Sequence, residues 1–472
     1  MERVYFDKQI FSNLFKGENP VYQKLLSGLY QHKHNFLYCY SHAHLLDLKN
    51  DKTNIKYKEL EFVEKLVGDN YLSYHPNGKS TFCYLVKPTE AFKDVENEEE
   101  LSFSNIFDDI DLSFASQEQQ DLFAKAKDIL SNQKFDFDFS KISNLPEDTF
   151  SPLSKILPLE ASSMTIMEWT EYFMGMVKTM EEDKTVYKGL RSVVDKNINN
   201  GKFTVDYNTI DFNDDLKNSV LQKSFIEYVT TNLNPIGDKE VSTYDFFVNA
   251  YFTLDLLGIC KEPSKSVRFK NVMNDAYHSY YGAFCDYVVS DDQGFLKKTK
   301  AMYQLLNIQT KVLHIDEFIS YFTILSNNFE KDINTFFDLL INDLRNGLII
   351  SSKPSLRYNR KTTTIKPNAI YLGYFNKVDN IKEEDLDIIV LYRITHNYSY
   401  FDFFREYEGV VNKAVKLFGL DKNFKGEYDW TGENKEINEG VWTGRTWEFG
   451  NILVFLDINK GTEKLSLQIT IK

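Results

Sequence analysis

The chain has 472 residues, 42% of them hydrophobic, 26% charged and 15% aromatic, enough for two to four domains with real cores and too aromatic for a disordered chain. A net charge of −14 excludes a broad surface that coats nucleic acid non-specifically, although a local basic strip can still hold a phosphate backbone. Cys39, Cys83, Cys260 and Cys285 fit neither zinc-ligand spacing nor a disulfide framework. The start, MERVYFDKQIFSNLF, lacks the basic-then-apolar design of a signal peptide and no window is apolar enough to span a bilayer, so a soluble, cytoplasmic protein without membrane contact is expected.

RVYFD at 3–7 predicts a short strand that ends in an acid, and Ile10, Phe11, Leu14 and Phe15 follow at helical spacing. Tyr22 to Gln31 predicts a second helix, and NFLYCY at 35–40 a second strand. Ser41 is a good N-cap for HAHLLDL, on which His44 and Asp47 share a face. For His44 a hydrogen-bonded buried histidine is favoured over a metal ligand. From 51 to 262 the chain predicts a mostly helical insertion. Its parts are a helix at Tyr57–Val67, a Pro-Asn-Gly-Lys turn at 76–79 and an acidic stretch from Val95 to Asp148. A Met- and aromatic-rich amphipathic helix follows at Met164–Met180, then helices at Asp215–Asn232 and Ser242–Leu257. A Met stripe at helical spacing predicts a packing face rather than a cofactor box. The acid run at 96–100 reads as a solvated face.

The stretch from Asn274 to Phe318 reads helix, strand, helix, strand, the alternation of a parallel α/β sheet. Eleven helical residues rise about 16 Å, and five extended residues return about the same distance. Asp275, which opens the helix, and Asp291–Asp292, which follow the strand Tyr287–Ser290, are therefore expected at one edge. That edge is the carboxyl end of the strands, where open α/β sheets place ligands. Carboxylates crowded there suit a hard divalent cation, Mg²⁺ or Mn²⁺. The plainer alternative makes Asp275 a helix cap and the Asp pair a solvated turn. Two basic strips, KSVRFK at 265–270 and KKTK at 297–300, are candidates for phosphate contact or simply solvated faces. Beyond residue 330 come a helix, β-rich runs, an amphipathic helix at Tyr400–Phe418 and a closing hairpin with its turn at Asn459-Lys460-Gly461. This predicts a C-terminal α+β domain at 331–472. Its aromatic residues Trp430, Trp442, Trp447 and Phe449 are better read as sheet core than as a binding face.

VYFDKQIFSNL, FLYCYSHAHLLDL and NDAYHSYYGAFCDYVVSDDQGFLKKTKAM together resemble the PIN-domain metal-dependent nucleases. The resemblance covers roughly 1–50 and 263–330, a core split by the insertion, and it implies a PIN-like parallel sheet. It assigns the site acids to Asp7, Asp47, Asp275 and Asp292, with Ser290 in the family's Thr/Ser place before the last acid. Asp47 stands where the family commonly has Glu, and Gln9 where it often has Asn. The implied activity is metal-dependent phosphodiester hydrolysis, most directly an endoribonuclease. Asp7, Asp275 and Asp292 would hold Mg²⁺ or Mn²⁺ with Asp291 in reserve, and Gln9 and Ser290 would orient a ligand or water. Lys297, Lys298, Lys300, Arg268 and Lys270 would steer nucleic acid. The same site could act on DNA. The rival from another class is a non-catalytic interaction or scaffold protein on a degenerate PIN-like core, in which the insertion or C-terminal domain engages a protein partner or a second copy.

Overall fold

The structure is a computed structural model. It describes residues 1–74, 81–97, 116–136, 138, 146–199, 212–233, 242–260, 268–327, 329–355, 360–382, 387–394, 404–459 and 464–471. The chain is mixed α/β and divides into two compact units. The first comprises Met1–Ala91, Tyr281–Leu296 and Leu306–Lys472, the second Phe92–Tyr280 and Lys297–Leu305.

The first unit opens with β1 (Glu2–Phe6), α1 (Lys8–Lys16), α2 (Pro20–Gln31), β2 (Phe36–Ser41), α3 (His42–Asn50), α4 (Ile55–Val67), β3 (Asn70–Tyr74) and β4 (Thr81–Leu85). Every residue of β1 and β2 is buried, as in a parallel strand covered on both faces, with Glu2 and Arg3 the charged exceptions to an otherwise mostly apolar pair. Local signals set the breaks. Asp7 caps α1 by accepting from the Gln9 N–H at 2.8 Å, and Gly17 closes it with φ +62°. Asn19 and Pro20 start α2.

After the short strands β5 (Lys134–Asp136) and β6 (Ser163–Thr165) in the second unit, the chain returns with β7 (Tyr287–Ser290) and β8 (Lys311–His314). The sheet order is β4-β3-β2-β1-β7-β8. All neighbours are parallel except β3 and β4, which form an antiparallel hairpin at one edge. Residues 51–91, expected within the helical insertion, thus give α4 and this hairpin to the first unit; the turn expected at 76–79 lies outside the described residues. The helix Ile315–Asn327 packs through Phe318, whose ring meets Phe6 at 5.4 Å, and Phe322, which meets Phe36 at 5.2 Å.

Residues 331–471 of the same unit build a wholly antiparallel seven-stranded sheet. Its strands are β9 (Leu348–Ser355), β10 (Arg360–Lys366), β11 (Lys377–Lys382), β12 (Asp387–Tyr392), β13 (Arg445–Phe449), β14 (Ile452–Asn459) and β15 (Lys464–Ile471), in the order β13-β14-β15-β12-β11-β10-β9. The helices Ile333–Asn346 and Phe404–Phe418 share its core with Leu391, Val454, Leu467 and Trp447. Trp442 and Trp447 are buried, and their indole N–H groups donate to Glu433 and to the Gly419 carbonyl. Gly444 enters β13 with φ +72°, and a Cβ there would run into the Leu456 carbonyl oxygen. Gly444→Ala is therefore expected to destabilise this unit by about 2–3 kcal/mol, read as a lowered urea midpoint at unchanged slope.

A buried charge network joins this region to the first sheet. Arg3 of β1 makes a two-pronged pair with Glu406, Nε to Oε1 and Nη2 to Oε2, both at 2.9 Å. Arg393 donates to Asp286 at 2.6 Å and to Glu2 at 3.4 Å. The Met1 amino group lies 3.3 Å from Glu406.

The second unit is helical apart from β5 and β6. The expected amphipathic helix spans Ile166–Glu182, opened by a reciprocal Thr165–Glu168 capping box. Its Met176, Val177 and Met180 pack around Tyr187, Phe269 and Val272, so the Met stripe is a packing face. The helix expected at 215–232 is broken into Phe212–Asp215, a 3₁₀ turn Leu216–Asn218 and Phe225–Leu233. Gln222 between them has φ +50°, which no helix interior tolerates.

Candidate functional site

In the first sheet β1 lies between β2 and β7. The chain leaves β1 toward β2 on one side and later returns on the other, so the gap between β1 and β7 is a topological switch point. In open α/β sheets that crevice, at the carboxyl ends of the strands, is where ligands bind. The register pairs Phe6 with Val289, and the next residues on each strand, Asp7 and Ser290, therefore sit side by side.

Ser290 is completely buried. Its hydroxyl donates to Asp7 Oδ2 and accepts from the Asp292 backbone N–H at 3.0 Å. Asp7 Oδ1 meanwhile accepts from the Gln9 N–H. Gln9 thus contributes its backbone, and its side chain is exposed. Asp292 is exposed, and its Oδ1 accepts from the N–H groups of Gly294 (2.7 Å) and Phe295 (3.0 Å). It is the cap of the helix Gln293–Leu305; among the described residues its Oδ2 has no partner. Both acids are therefore helix caps and strand-end carboxylates at once.

Asp291, held in reserve by sequence, sits in the fuller constellation. Its Oδ2 accepts from the Tyr22 hydroxyl and, at 3.5 Å, from the Asn13 amide; its Oδ1 lies 3.6 Å from His314 Nε2. Burial, and then the hydrogen bond to Asp291, push the Tyr22 phenol above its ordinary range. His314 Nδ1 is 3.4 Å from Asp316. Sequence reasoning missed Asn13, Tyr22 and His314. The available signal was positional: His314 closes β8 as Ser290 closes β7.

Asp47 is half-buried on α3. Beside it His44 is the buried, hydrogen-bonded histidine expected. Its Nε2 faces the Phe6 carbonyl at 2.7 Å and its Nδ1 accepts from the Ser41 N–H at 3.0 Å, which fixes the proton on Nε2.

The remaining candidates belong to the second unit. Asp275, expected to open its helix, instead stands inside Phe269–Gly282, because the helix begins at Phe269; its side chain is 28% exposed and 3.9 Å from Lys298 Nζ. Lys298 is fully buried, 4.0 Å from Asp255 and with its ammonium 5.4 Å from the Tyr251 ring centre. Asp255 also accepts from the Tyr187 hydroxyl at 2.6 Å and lies 3.5 Å from Arg191. The expectation that Lys298 faces nucleic acid is corrected accordingly: its charge is spent on buried aspartate. Lys297 and Lys300 are half-buried, whereas Arg268 and Lys270 are exposed.

Among the described residues no group of three or more His, Cys, Asp or Glu is arranged to hold a metal ion. The donor chemistry at the β1/β7 edge is nonetheless that of a hard cation: oriented carboxylates with lone pairs to spare and no thiolate. All four cysteines are buried, and none forms a disulfide. No described helix is long and apolar enough to cross a membrane. No protein-family model, curated protein or solved structure matches this chain.

Proposed function

We propose that the carboxyl edge between β1 and β7 is a phosphodiester-cleaving site acting on RNA with the help of Mg²⁺ or Mn²⁺. The observation that carries this reading is the Ser290 hydroxyl, buried at the switch point and tying the Asp7 carboxylate to the Asp292 backbone. A serine in that place holds two strand-end acids in fixed orientation without neutralising either. Asp7, Asp291 and Asp292 would hold the cation, with Asp47 the further acid of the same unit in the PIN-like reading. A bound cation would supply polarisation of the scissile phosphate and a more acidic water. The chain's own residues do the rest. Backbone amides of Gln9, Gly294 and Phe295 aim the carboxylates, and Tyr22 and Asn13 hold Asp291.

A second reading is a non-catalytic interaction module. The capping roles of Asp7 and Asp292 favour it, since those roles alone would retain both acids. One experiment separates the two. A labelled mixed-sequence single-stranded RNA and its DNA equivalent are incubated with the full chain in Mg²⁺, Mn²⁺ or EDTA, with Mn²⁺ binding followed by calorimetry. Cation-dependent RNA cleavage is the expected result. Folded protein that neither cleaves nor binds Mn²⁺ leaves the interaction module standing.

A further inference from the structure

The first unit holds a large cavity at the opposite, amino-terminal side of the same sheet. It is about 1290 Å³ and is lined at the starts of β2 and β3 by Asn35, Phe36 and Asn70, and across from them by the helix Phe404–Phe418. Seven Lys or Arg against five Asp or Glu face it, an excess of two positive charges inside a chain of net −14.

Arg405 is already satisfied by Asp69, at 2.6 and 3.1 Å, and by Glu408 at 2.7 Å. Glu64, Glu330 and Glu427 remain to face the lysines, the first two also accepting from the Thr89 hydroxyl and the Leu372 N–H. Lys33, Lys65, Lys87, Lys331 and Lys416 line the cavity with no ion pair among the described residues. Helix C-termini explain Lys65 and Lys416, which sit in last turns where cations are favoured. They do not explain Lys87, directly before the helix Pro88–Asn97, whereas Lys331 stands beside the Asp332 cap of Ile333–Asn346, whose carboxylate offsets it. Cations beside helix N-termini are disfavoured unless an anion offsets them.

A sixth lysine points the same way. Lys413 donates to Asn35 Oδ1 and, at 3.1 Å, to the Leu372 carbonyl. It lies over Gly373, where a Cβ would collide with the ammonium. Burial pulls its pKa down to about 8, only partly opposed by Glu330. His34 is held below its ordinary range by burial and then by Lys33, Lys413 and Lys416. This cluster is under-neutralised, and an incoming anion would relieve it.

We propose that this cavity binds a phosphate-bearing small molecule of nucleotide size, its phosphates against the lysines and its ring against the apolar wall of Phe36, Leu66, Leu372 and Leu417. Five or six lysines around one space call for several negative charges close together, which a di- or triphosphate supplies and a single carboxylate does not. The volume exceeds that of an ordinary small-molecule pocket, about 300–1,000 Å³, so a nucleotide enters with water beside it. The inference does not depend on the cleavage reading, because the two sites lie at opposite ends of the strands.

The test is calorimetry of the full chain with ATP and with inorganic pyrophosphate, in EDTA so that no cation-dependent site contributes. ATP is expected to bind one to one, more weakly as salt rises, and to take up protons at pH 8 as Lys413 becomes charged. Proton uptake is read from the buffer dependence of the heat. Lys33→Glu/Lys416→Glu, two exposed positions, is expected to weaken binding at least about tenfold. Lys125→Glu on the helix Gln117–Asn132 and the Asp7→Asn/Asp292→Asn pair are expected to leave it unchanged. Absence of heat from both probes at millimolar concentration, or equal affinity in the Lys33/Lys416 variant, overturns the proposal.

Discussion

Glu406→Gln is expected to cost the first unit about 3–5 kcal/mol, the usual penalty for removing one partner of a buried ion pair. Arg3 and Glu406 are both essentially inaccessible to water. Glutamine at 406 still offers Arg3 an amide oxygen but no negative charge, and a guanidinium cannot shed its proton to escape burial. Arg393 is less affected because Asp286 and Glu2 still hold it. The pH dependence follows from the same geometry. Burial alone would raise the Glu406 carboxyl, but the charge of Arg3, then of the Met1 amine, holds it far below its ordinary value of 4.5. A depressed carboxyl contributes stability that is complete above the unfolded pKa and is lost as pH falls through the folded one. Wild-type protein should therefore lose stability progressively below about pH 4.5, and Glu406→Gln should show a shallower acid limb. Urea titrations of both proteins between pH 3 and 7 check both statements. Equal stability of the two at pH 7 would show the network to be energetically idle.

That network marks the limit of what the sequence could say. Strands β1, β2, β7 and β8 were legible because each is a short run of apolar and aromatic residues ending in a polar cap, and those signals are local. Ser41 announced a helix start for the same reason. The β3–β4 hairpin was hidden, since Asn70–Tyr74 and Thr81–Leu85 are five residues each, mix polar with apolar positions and follow a strongly helical stretch. Arg3 and Glu406 are 403 positions apart, and no periodicity connects them. Lys298 looked like one more charge in KKTK. Its burial depends on Asp255, which nothing local ties to it, and on the side of the helix that Phe295, Leu296 and Met302 also bury. At the candidate edge the acids were legible as strand-end residues. Their hydrogen-bonded roles, and the company of Tyr22, Asn13 and His314 around Asp291, depend on how distant segments pack.

The variant that bears most directly on function is Asp7→Asn. Asparagine is as good an N-cap as aspartate, so the Gln9 N–H keeps its acceptor and α1 keeps its start. The Ser290 hydroxyl can still donate to a carbonyl oxygen or rotate to accept from the amide. Stability should change by less than about 1 kcal/mol. The negative charge, however, is gone from the switch point, and an amide is a poor ligand for a hard cation. Under the proposed function cation-dependent RNA cleavage should fall at least about a hundredfold, more than the 10- to 100-fold typical of residues that merely support a ligand. Asp7→Ala is the useful companion, since it should lose the cleavage and about 1 kcal/mol besides. Ser290→Ala should give an intermediate rate with weaker Mn²⁺ binding, because it leaves the charge and removes the tether. A folded Asp7→Asn protein that cleaves at the wild-type rate would assign Asp7 to capping alone and move the search for the catalytic acid to Asp291, where Tyr22 and His314 converge.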